Sequence, residues 1–262
     1  YITTVQVLSA TSSDKNDTAD TTIILYKSSA KTIHDSLRNI TLQSPKKLYG
    51  GHIETLLVSE SIARNDITEI FDLFLRDSEV NKDFKLLLVR EEFEMDEIMS
   101  IITPLQSIPG QNVSSSVDLA SKLQGTITNV TFDEFASNVF ITGLDGVLPI
   151  LSIEKFNFTT EQEEGEKRLI IEMGLAIFEN EKLSGFISKD AALGYNIMSK
   201  NVTAAILTYE CGNKEYGTLE MIKNNSGYSF DIEKNEIKAD IKLKGALSEL
   251  DCNVDITNKN EV

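Results

Sequence analysis

Residues 50–91 read GGHIETLLVSESIARNDITEIFDLFLRDSEVNKDFKLLLVRE, and this stretch decides the fold. Its two leading glycines permit a turn that other residues adopt only at a cost, and the apolar run 53–58 then predicts a strand buried on both faces. Ser59 or Ser61 is a suitable N-cap for a helix after that strand. A second strand is predicted near Phe84. The segment therefore predicts strand, helix and strand in succession.

The residues between these two strands have the spacing of helices with one buried face. Asn65 and Asp66 interrupt the pattern, since short polar side chains satisfy backbone groups outside regular helices, and asparagine also tolerates the left-handed conformation. Asp66 with Glu69 forms the aspartate version of a capping box. The apolar residues that follow predict that Asp72 and Arg76 point to solvent. These apolar residues are Ile67, Ile70, Phe71, Phe74 and Leu75.

The rest of the chain divides into a part that mixes helices with strands and a part made mainly of strands. Thr131 and Glu134 form a capping box for a helix at 132–139. From residue 143 onward strands alternate with polar turns, and one helix at 190–198 is inserted among them. The predicted fold class is α+β: an N-terminal sheet with packed helices, followed by a mainly antiparallel sheet. Further predicted helices are 32–40 and 117–123, and further predicted strands are 3–8, 23–26, 169–178, 183–187, 203–211 and 237–243.

We place the domain boundary at residue 150, which gives an N-terminal α/β-type domain of residues 1–150 and a sheet-rich domain of residues 151–262. The Pro/Gly/Ser-rich stretch 104–116 is predicted to be a connector and marks a further division inside the first domain. The acidic run 161–166 indicates a solvated linker or the tip of a hairpin. The chain begins within a predicted strand and ends in NKNEV, and the second domain is expected to be truncated at its C-terminus.

The net charge of −16 is the strongest compositional feature, with 41 acidic against 25 basic side chains. A phosphate backbone would be repelled, so nucleic acid is a poor partner, and an anionic membrane surface is disfavoured for the same reason. No apolar run approaches the length needed to span a bilayer. We therefore expect any membrane attachment to depend on a lipid or on other proteins.

The chain is poor in the residues that carry catalysis. It contains two histidines, His34 and His52, and no tryptophan, and it lacks the common metalloprotease, nucleophile-elbow and phosphate-loop motifs. Asp14 begins a stretch with some features of a calcium loop, but alanine and leucine stand where glycine and the final acidic ligand are needed. We predict no catalytic residue, no cofactor site and no metal site.

The two cysteines, Cys211 and Cys252, have 40 residues between them. A disulfide between them would contribute roughly 4 kcal/mol in the chain-entropy model. The alternative is two buried or half-buried thiols, and the apolar, strand-like surroundings of both residues favour this alternative.

Motifs in two segments resemble one protein family. The first set is His52 at the entry to the strand, Glu60, Ala63 and Arg64 at the start of the helix, and Leu75, Arg76, Asp77 and Glu79 at its end. The second set is Gly174, Ala176, Phe178, Lys182, Leu183 and Gly185. Both follow the pattern of the Ger(x)C family, the lipoprotein C subunit of spore nutrient germinant receptors. One departure is Asn65-Asp66, where the family often has glycine after the Ala-Arg pair.

This resemblance implies a non-enzymatic lipoprotein on the outer face of the spore inner membrane. It would assemble with an A subunit and a multispan B subunit and take part in triggering germination in response to nutrients. The lipid anchor would be N-terminal and lies outside this chain. The alternative function is a lipoprotein that itself binds a small nutrient.

If the protein functions by binding a partner, the roles of several charged residues can be interpreted in two ways. The sequence favours Arg76 and Asp77 as a helix C-terminal cation followed by a loop-capping aspartate. His52, in turn, is read first as a residue that caps a turn or bonds a backbone carbonyl. The alternative is a partner-binding patch formed by His52, Arg64, Arg76, Asp77 and Glu79.

Overall fold

A computed structural model describes residues 1–11, 20–101, 109–141, 145–159, 164–212 and 214–251. The chain opens with an antiparallel hairpin of β1 (Ile2–Thr11) and β2 (Asp20–Ser29), followed by helix α1 (Ile33–Asn39). Thr32 caps α1 by accepting a hydrogen bond from the backbone N–H of Asp35 at 3.1 Å, which confirms the predicted helix. The calcium-like segment that begins at Asp14 lies outside the described residues.

The central sheet has the strand order β3-β4-β6-β7. Its strands are β3 (Thr55–Ser59), β4 (Lys85–Val89), β6 (Ile150–Thr159) and β7 (Glu164–Ile171). The first three are parallel, and β7 is antiparallel to β6. The strand predicted at 53–58 is β3, but its predicted burial on both faces is wrong: only Val58 is buried, because β3 lies at the sheet edge. The second predicted strand, β4, is the one that is buried on both faces.

The two faces of β4 pack against different layers. On one face Leu86 and Leu88 join a large aromatic cluster, and on the other Leu87 and Val89 pack with residues of two further helices. Helices α2 (Glu60–Asn65), α3 (Phe71–Arg76) and α6 (Phe132–Phe140) supply the first layer, and α4 (Met95–Ser100) and α5 (Pro109–Leu123) the second. The central sheet is therefore covered on both sides, as its parallel strands require.

The region between β3 and β4 folds mostly as its sequence predicts. Ile67, Ile70, Phe71 and Phe74 are buried, whereas Leu75 is 41% exposed, contrary to the prediction. Asp66 caps the 3₁₀ helix Ile67–Ile70 through the Thr68 N–H at 2.8 Å. Asn65 does not adopt the left-handed conformation, because it is the last residue of α2 and the extended backbone of Asp66 makes the break instead.

The helices on either side of residue 130 give one correction and one confirmation. Helix α5 begins at Pro109, so the second half of the predicted connector 104–116 is helical, which fits the preference of proline for the first helical position. The first half of that connector lies largely outside the described residues. Helix α6 has the predicted capping box: Thr131 accepts from the Glu134 N–H at 3.3 Å, and the Glu134 carboxylate accepts from the Thr131 N–H at 3.0 Å.

A second, antiparallel sheet packs onto the aromatic cluster. It contains β5 (Val147–Leu148), β8 (Gly174–Glu179) and β9 (Lys182–Ser188), and helix α7 (Lys189–Met198) follows it as predicted. The strand predicted at 169–178 is two strands, β7 and β8. The break falls before Gly174. Its φ of 139° is readily adopted by glycine but strained for other residues, and a Cβ atom added at this position would lie 2.6 Å from the Ile187 carbonyl oxygen.

The C-terminal part consists of a three-stranded sheet and a protruding hairpin. The sheet has the order β10 (Ala205–Gly212), β11 (Glu215–Asn224) and β14 (Leu243–Leu250), and the hairpin pairs β12 (Gly227–Asp231) with β13 (Glu236–Asp240). The strand predicted at 237–243 is therefore divided between β13 and β14. In the hairpin Phe230 lies opposite Ile237 and Tyr228 opposite Ala239, and all four side chains are exposed. One face of this hairpin is thus apolar and open to solvent.

Two sequence-based expectations concern this C-terminal half. The division at residue 150 stays a prediction; the central sheet continues across it, because β6 pairs with β4, and Leu148 and Phe178 share one core with Phe71. The favoured reading of Cys211 as a buried thiol is wrong, because Cys211 is exposed and disulfide-bonded. The chain's other cysteine, Cys252, lies outside the described residues.

Candidate interaction surface

Four of the five predicted partner-binding residues lie in or beside the segments that precede the parallel strands β3 and β4. His52 ends a short 3₁₀ helix just before β3, and Asp77 and Glu79 follow α3 in the loop that leads into β4. These two loops touch, because a Cβ at Gly50 would lie 2.8 Å from Val80 Cγ2 and because Lys47 pairs with Glu79 at 3.0 Å. We call the surface formed by residues 44–52 and 76–80 the amino-edge surface.

Arg64, the fifth predicted residue, lies at the opposite edge of the sheet. It belongs to α2, which follows the carboxyl end of β3, and it binds Glu60 through Nε at 2.8 Å and Nη2 at 2.5 Å. The Glu60 side chain is only 6% exposed and also accepts a hydrogen bond from the Glu91 N–H at 3.2 Å, just after β4. Arg64 therefore neutralises a buried carboxylate that connects α2 to the end of β4.

Arg76 has the same i,i+4 spacing as Arg64 but a different environment. Its partner Asp72 lies 2.7 Å away, and the two side chains are 79% and 68% exposed. Asp77 accepts a hydrogen bond from the Glu79 N–H at 2.9 Å, so it caps the loop as the sequence indicates. Because an exposed ion pair contributes little to stability, Arg76 is available for contacts with another molecule.

His52 makes an aromatic contact on the amino-edge surface. Its ring lies edge-on to the Tyr49 ring, with centroids 5.7 Å apart. Tyr49 is 63% exposed, and a Cβ at Gly51 would lie 2.5 Å from the Tyr49 ring. The second glycine of the Gly50-Gly51 pair therefore gives Tyr49 room to lie against the loop, a role that the glycine pattern alone does not reveal.

A second charged group, which the sequence motifs do not indicate, lies at the edge of the central sheet where the parallel strands have their carboxyl ends. Arg90 binds Glu172 through two nitrogens at 2.9 to 3.1 Å, and its guanidinium lies 4.1 Å from the centroid of the Phe186 ring. The hydrogen bonds to Glu172 raise the pKa of Arg90 above its ordinary value, against the opposing effect of burial. This group joins the end of β4 to both sheets, and because its ionic partners are 82 positions apart it leaves no local signal in the sequence.

The described titratable groups whose pKa values are clearly shifted each form a side-chain hydrogen bond that is the main cause of the shift. Asp96 is an example: the hydrogen bond from Lys27 is the main cause of its lowered pKa, burial opposes it, and the hydrogen bond from Thr4 lowers the pKa further. The two hydrogen bonds fasten the β1–β2 hairpin to α4. Within the described ranges, no group of three or more His, Cys, Asp or Glu side chains is placed to hold a metal ion. The same part of the chain has no helix long and apolar enough to cross a membrane.

The fold is thus of the α+β class, and the candidate site is a surface built from loops, charged side chains and an exposed aromatic ring. Two family models match nearly the whole chain: "Spore germination protein N-terminal domain" over residues 1–153, and "Spore germination B3/GerAC like, C-terminal" over residues 173–262. The chain belongs to the Ger(x)C family of spore germination proteins, the family of germinant receptor C subunits. This confirms the resemblance drawn from the sequence motifs.

Individual relatives are distant. The chain is 20% identical to spore germination protein KC of Bacillus subtilis (strain 168) over 163 residues, which are 60% of this chain and 40% of that protein. It is 22% identical over 225 residues to YfkR of the same organism, a protein assigned to spore germination, covering 84% of this chain and 56% of YfkR. The chain therefore spans about half the length of these relatives. The crystal structure of the GerBC protein aligns with 94% of this chain and 72% of its own, at 16% identity and a TM-score of 0.49.

Proposed function

We propose that this protein is the C subunit of a spore nutrient germinant receptor and that it assembles with A and B subunits to trigger germination. The observation that carries the proposal is the match of both family models, one to each half of the chain. The ion pairs Lys27–Asp96 and Arg90–Glu172 each join separate structural elements, which is consistent with a subunit that acts by contact. The C subunit would thus work as a structural or coupling component.

The proposed location is the outer face of the spore inner membrane, with an N-terminal lipid as the anchor. The net charge of −16 supports an anchor of this kind, because an acidic protein gains nothing from adsorbing to an anionic bilayer. The purified chain is accordingly expected not to sediment with liposomes rich in phosphatidylglycerol at physiological salt. Strong sedimentation would mean that the protein surface itself binds lipid.

The amino-edge surface is the proposed contact with the other subunits. Its members Arg76, Asp77, Glu79 and His52 are held on loops that are fastened to each other, whereas Arg64 has a structural partner at the other edge. We therefore assign partner binding to the first four residues and leave Arg64 out of the contact. This assignment narrows the patch that the sequence predicts.

The test is purification of the tagged full-length protein from detergent-solubilised spore inner membrane, with mass spectrometry of the proteins that accompany it. Recovery of A-type and B-type receptor subunits is expected. Arg76→Glu should lower that recovery without changing the melting temperature, and Lys223→Glu, an exposed charge reversal on β11, is the matched control. Absence of both subunits under gentle conditions would refute the receptor assignment.

Direct binding of a small nutrient is the rival function. Its candidate site is an open, largely polar cleft of about 350 Å³ between Lys200 and the β12–β13 hairpin. Thermal shift against amino acids and sugars separates the two functions, because a ligand that binds only the folded state raises the melting temperature by mass action. A reproducible shift that Lys200→Ala abolishes would favour the rival.

A further inference from the structure

Tyr49 stands out on the amino-edge surface because it is exposed and yet held in place. The ring is 63% exposed and contacts the edge of the His52 ring, while Gly51 leaves the space in which it lies. A large side chain that is both accessible and fixed in position binds a partner with little loss of conformational entropy. Tyrosine is also one of the residues that most often dominate the energetics of protein interfaces.

The loop that carries Tyr49 is fixed by contacts along its length. Ser44 accepts a hydrogen bond from the Lys46 N–H at 3.2 Å and donates one to the Lys46 carbonyl at 2.9 Å. Lys47 pairs with Glu79, and Gly50 packs against Val80. These contacts restrict the backbone on both sides of Tyr49, which lowers the entropy cost of ordering the loop when a partner binds.

The charge around Tyr49 is opposite in sign to that of the chain as a whole. Residues 36–53 contain three basic side chains, Arg38, Lys46 and Lys47, and no acidic one. The neighbouring residues 76–80 add one basic and two acidic side chains, so the two segments together have four basic against two acidic side chains in a chain whose net charge is −16. Lys47 is paired with Glu79, whereas the Lys46 ammonium has no ion-pair partner among the described residues. A partner with an acidic face would be steered to this part of the molecule and repelled from most of the rest.

We propose that Tyr49 is the anchor of a docking site for an acidic protein surface, with Lys46 as its charged neighbour and with Gly51 and His52 as positioning residues. The inference rests on the proposed function, because the partner is taken to be a subunit of the same receptor. Within the amino-edge surface it gives His52, one of the four residues assigned to partner binding, the further role of holding Tyr49 in position.

The experiment compares variants of the tagged full-length protein in the same membrane purification, with the receptor subunits quantified relative to the tagged protein. Tyr49→Ala should lower the recovery of A-type and B-type subunits by roughly tenfold or more, the size expected for an interface anchor. Leu119→Ala is the matched control, since Leu119 is 61% exposed on α5. All variants are first required to melt within a few degrees of the wild type.

Gly51→Ala tests the positioning role separately. The added methyl group would push the Tyr49 ring away from His52, and Gly51 has no positive φ that alanine would strain, so the fold should be unaffected. Recovery of the subunits should fall with Gly51→Ala as it does with Tyr49→Ala. If Gly51→Ala binds like the wild type, the ring position does not matter and the anchor role is refuted.

Charge is tested by Lys46→Glu, which should lower recovery several-fold, and by Lys46→Arg, which should restore it. Wild-type recovery should also fall as the salt concentration rises. Equal recovery with Lys46→Glu would exclude an acidic partner face.

If the wild type recovers no subunits, the proposed function itself fails; if it recovers them and Tyr49→Ala does so equally, only the present inference fails. Binding of the wild type, but not Tyr49→Ala, to anionic liposomes would instead make the site a lipid contact and overturn the inference.

Discussion

Replacing Arg64 by alanine should destabilise the protein much more than replacing Arg76, although both arginines form i,i+4 ion pairs. The Glu60 carboxylate is 6% exposed, and without Arg64 it would keep one described hydrogen bond, from the Glu91 N–H at 3.2 Å. Breaking a fully buried pair costs about 3–5 kcal/mol, and an exposed pair contributes about 1 kcal/mol or less. Arg64 is 48% exposed, so we expect a loss of about 2 kcal/mol, between these limits.

Urea unfolding followed by circular dichroism measures this difference. With a denaturant slope of roughly 3 kcal/mol/M, Arg64→Ala should lower the midpoint by about 0.7 M. Arg76→Ala should change the free energy of unfolding by less than about 0.5 kcal/mol, because Asp72 stays solvated when its partner is removed. In a Glu60→Gln background, Arg64→Ala should have little further effect, since the buried charge is already gone. If the two arginine variants unfold at the same urea concentration, burial of Glu60 does not set the strength of the pair and the reasoning is wrong.

Three further outcomes follow from the described contacts. Arg90→Lys should lower the free energy of unfolding by about 1–2 kcal/mol, because lysine cannot reproduce the two-nitrogen contact with Glu172; an unchanged urea midpoint would contradict this. Asp96→Asn should speed amide exchange in the β1–β2 hairpin at neutral pH by removing the ion pair with Lys27. The pair with Lys27 lowers the pKa of Asp96 in the folded protein, so its stabilising effect is complete above the ordinary aspartate pKa of about 4. The effect is lost as the pH falls through the lowered pKa of the folded state. The exchange rates of the variant and the wild type should therefore converge in strong acid. Ile237→Ser should reduce binding of the dye ANS without lowering the melting temperature, since the side chain is 67% exposed; unchanged dye binding would show that the hairpin face is not the apolar surface that the dye detects.

The local elements of the fold were largely predictable because local chemistry specifies them. Thr131 and Glu134 satisfy each other's backbone groups within one turn, and the strong β4 pattern reflects a strand that is covered on both faces. The α+β class and the helix inserted after β9 follow from the same kind of pattern. The predictions that failed depend on position in the whole fold. The sequence of β3, TLLVS, has an apolar centre like that of β4, KLLLV, and only the strand order shows that β3 lies at an edge.

The remaining errors have comparable causes. A Pro/Gly/Ser-rich stretch usually indicates a loop, but in α5 Pro109 occupies the first position of the helix, and buried Val113 and Val117 pack that helix on the sheet. Tertiary burial here outweighs weak helix propensity. The strand predicted at 169–178 is interrupted at 172–173, because Glu172 pairs with Arg90 and Gly174 starts the next strand with a positive φ.

The candidate site shows the limit of sequence reasoning most clearly. Arg64 and Arg76 each follow an acidic residue by four positions on a short helix, and both belong to the motifs that identify the family. A local pattern treats them alike, so the alternative reading of the sequence places both in the partner-binding patch. The structure separates them by the burial of the acidic residue alone: Glu60 needs its arginine, whereas Asp72 does not. On the proposed function, Arg76 is therefore the better candidate of the two arginines for contact with a partner, because the fold does not depend on its ion pair.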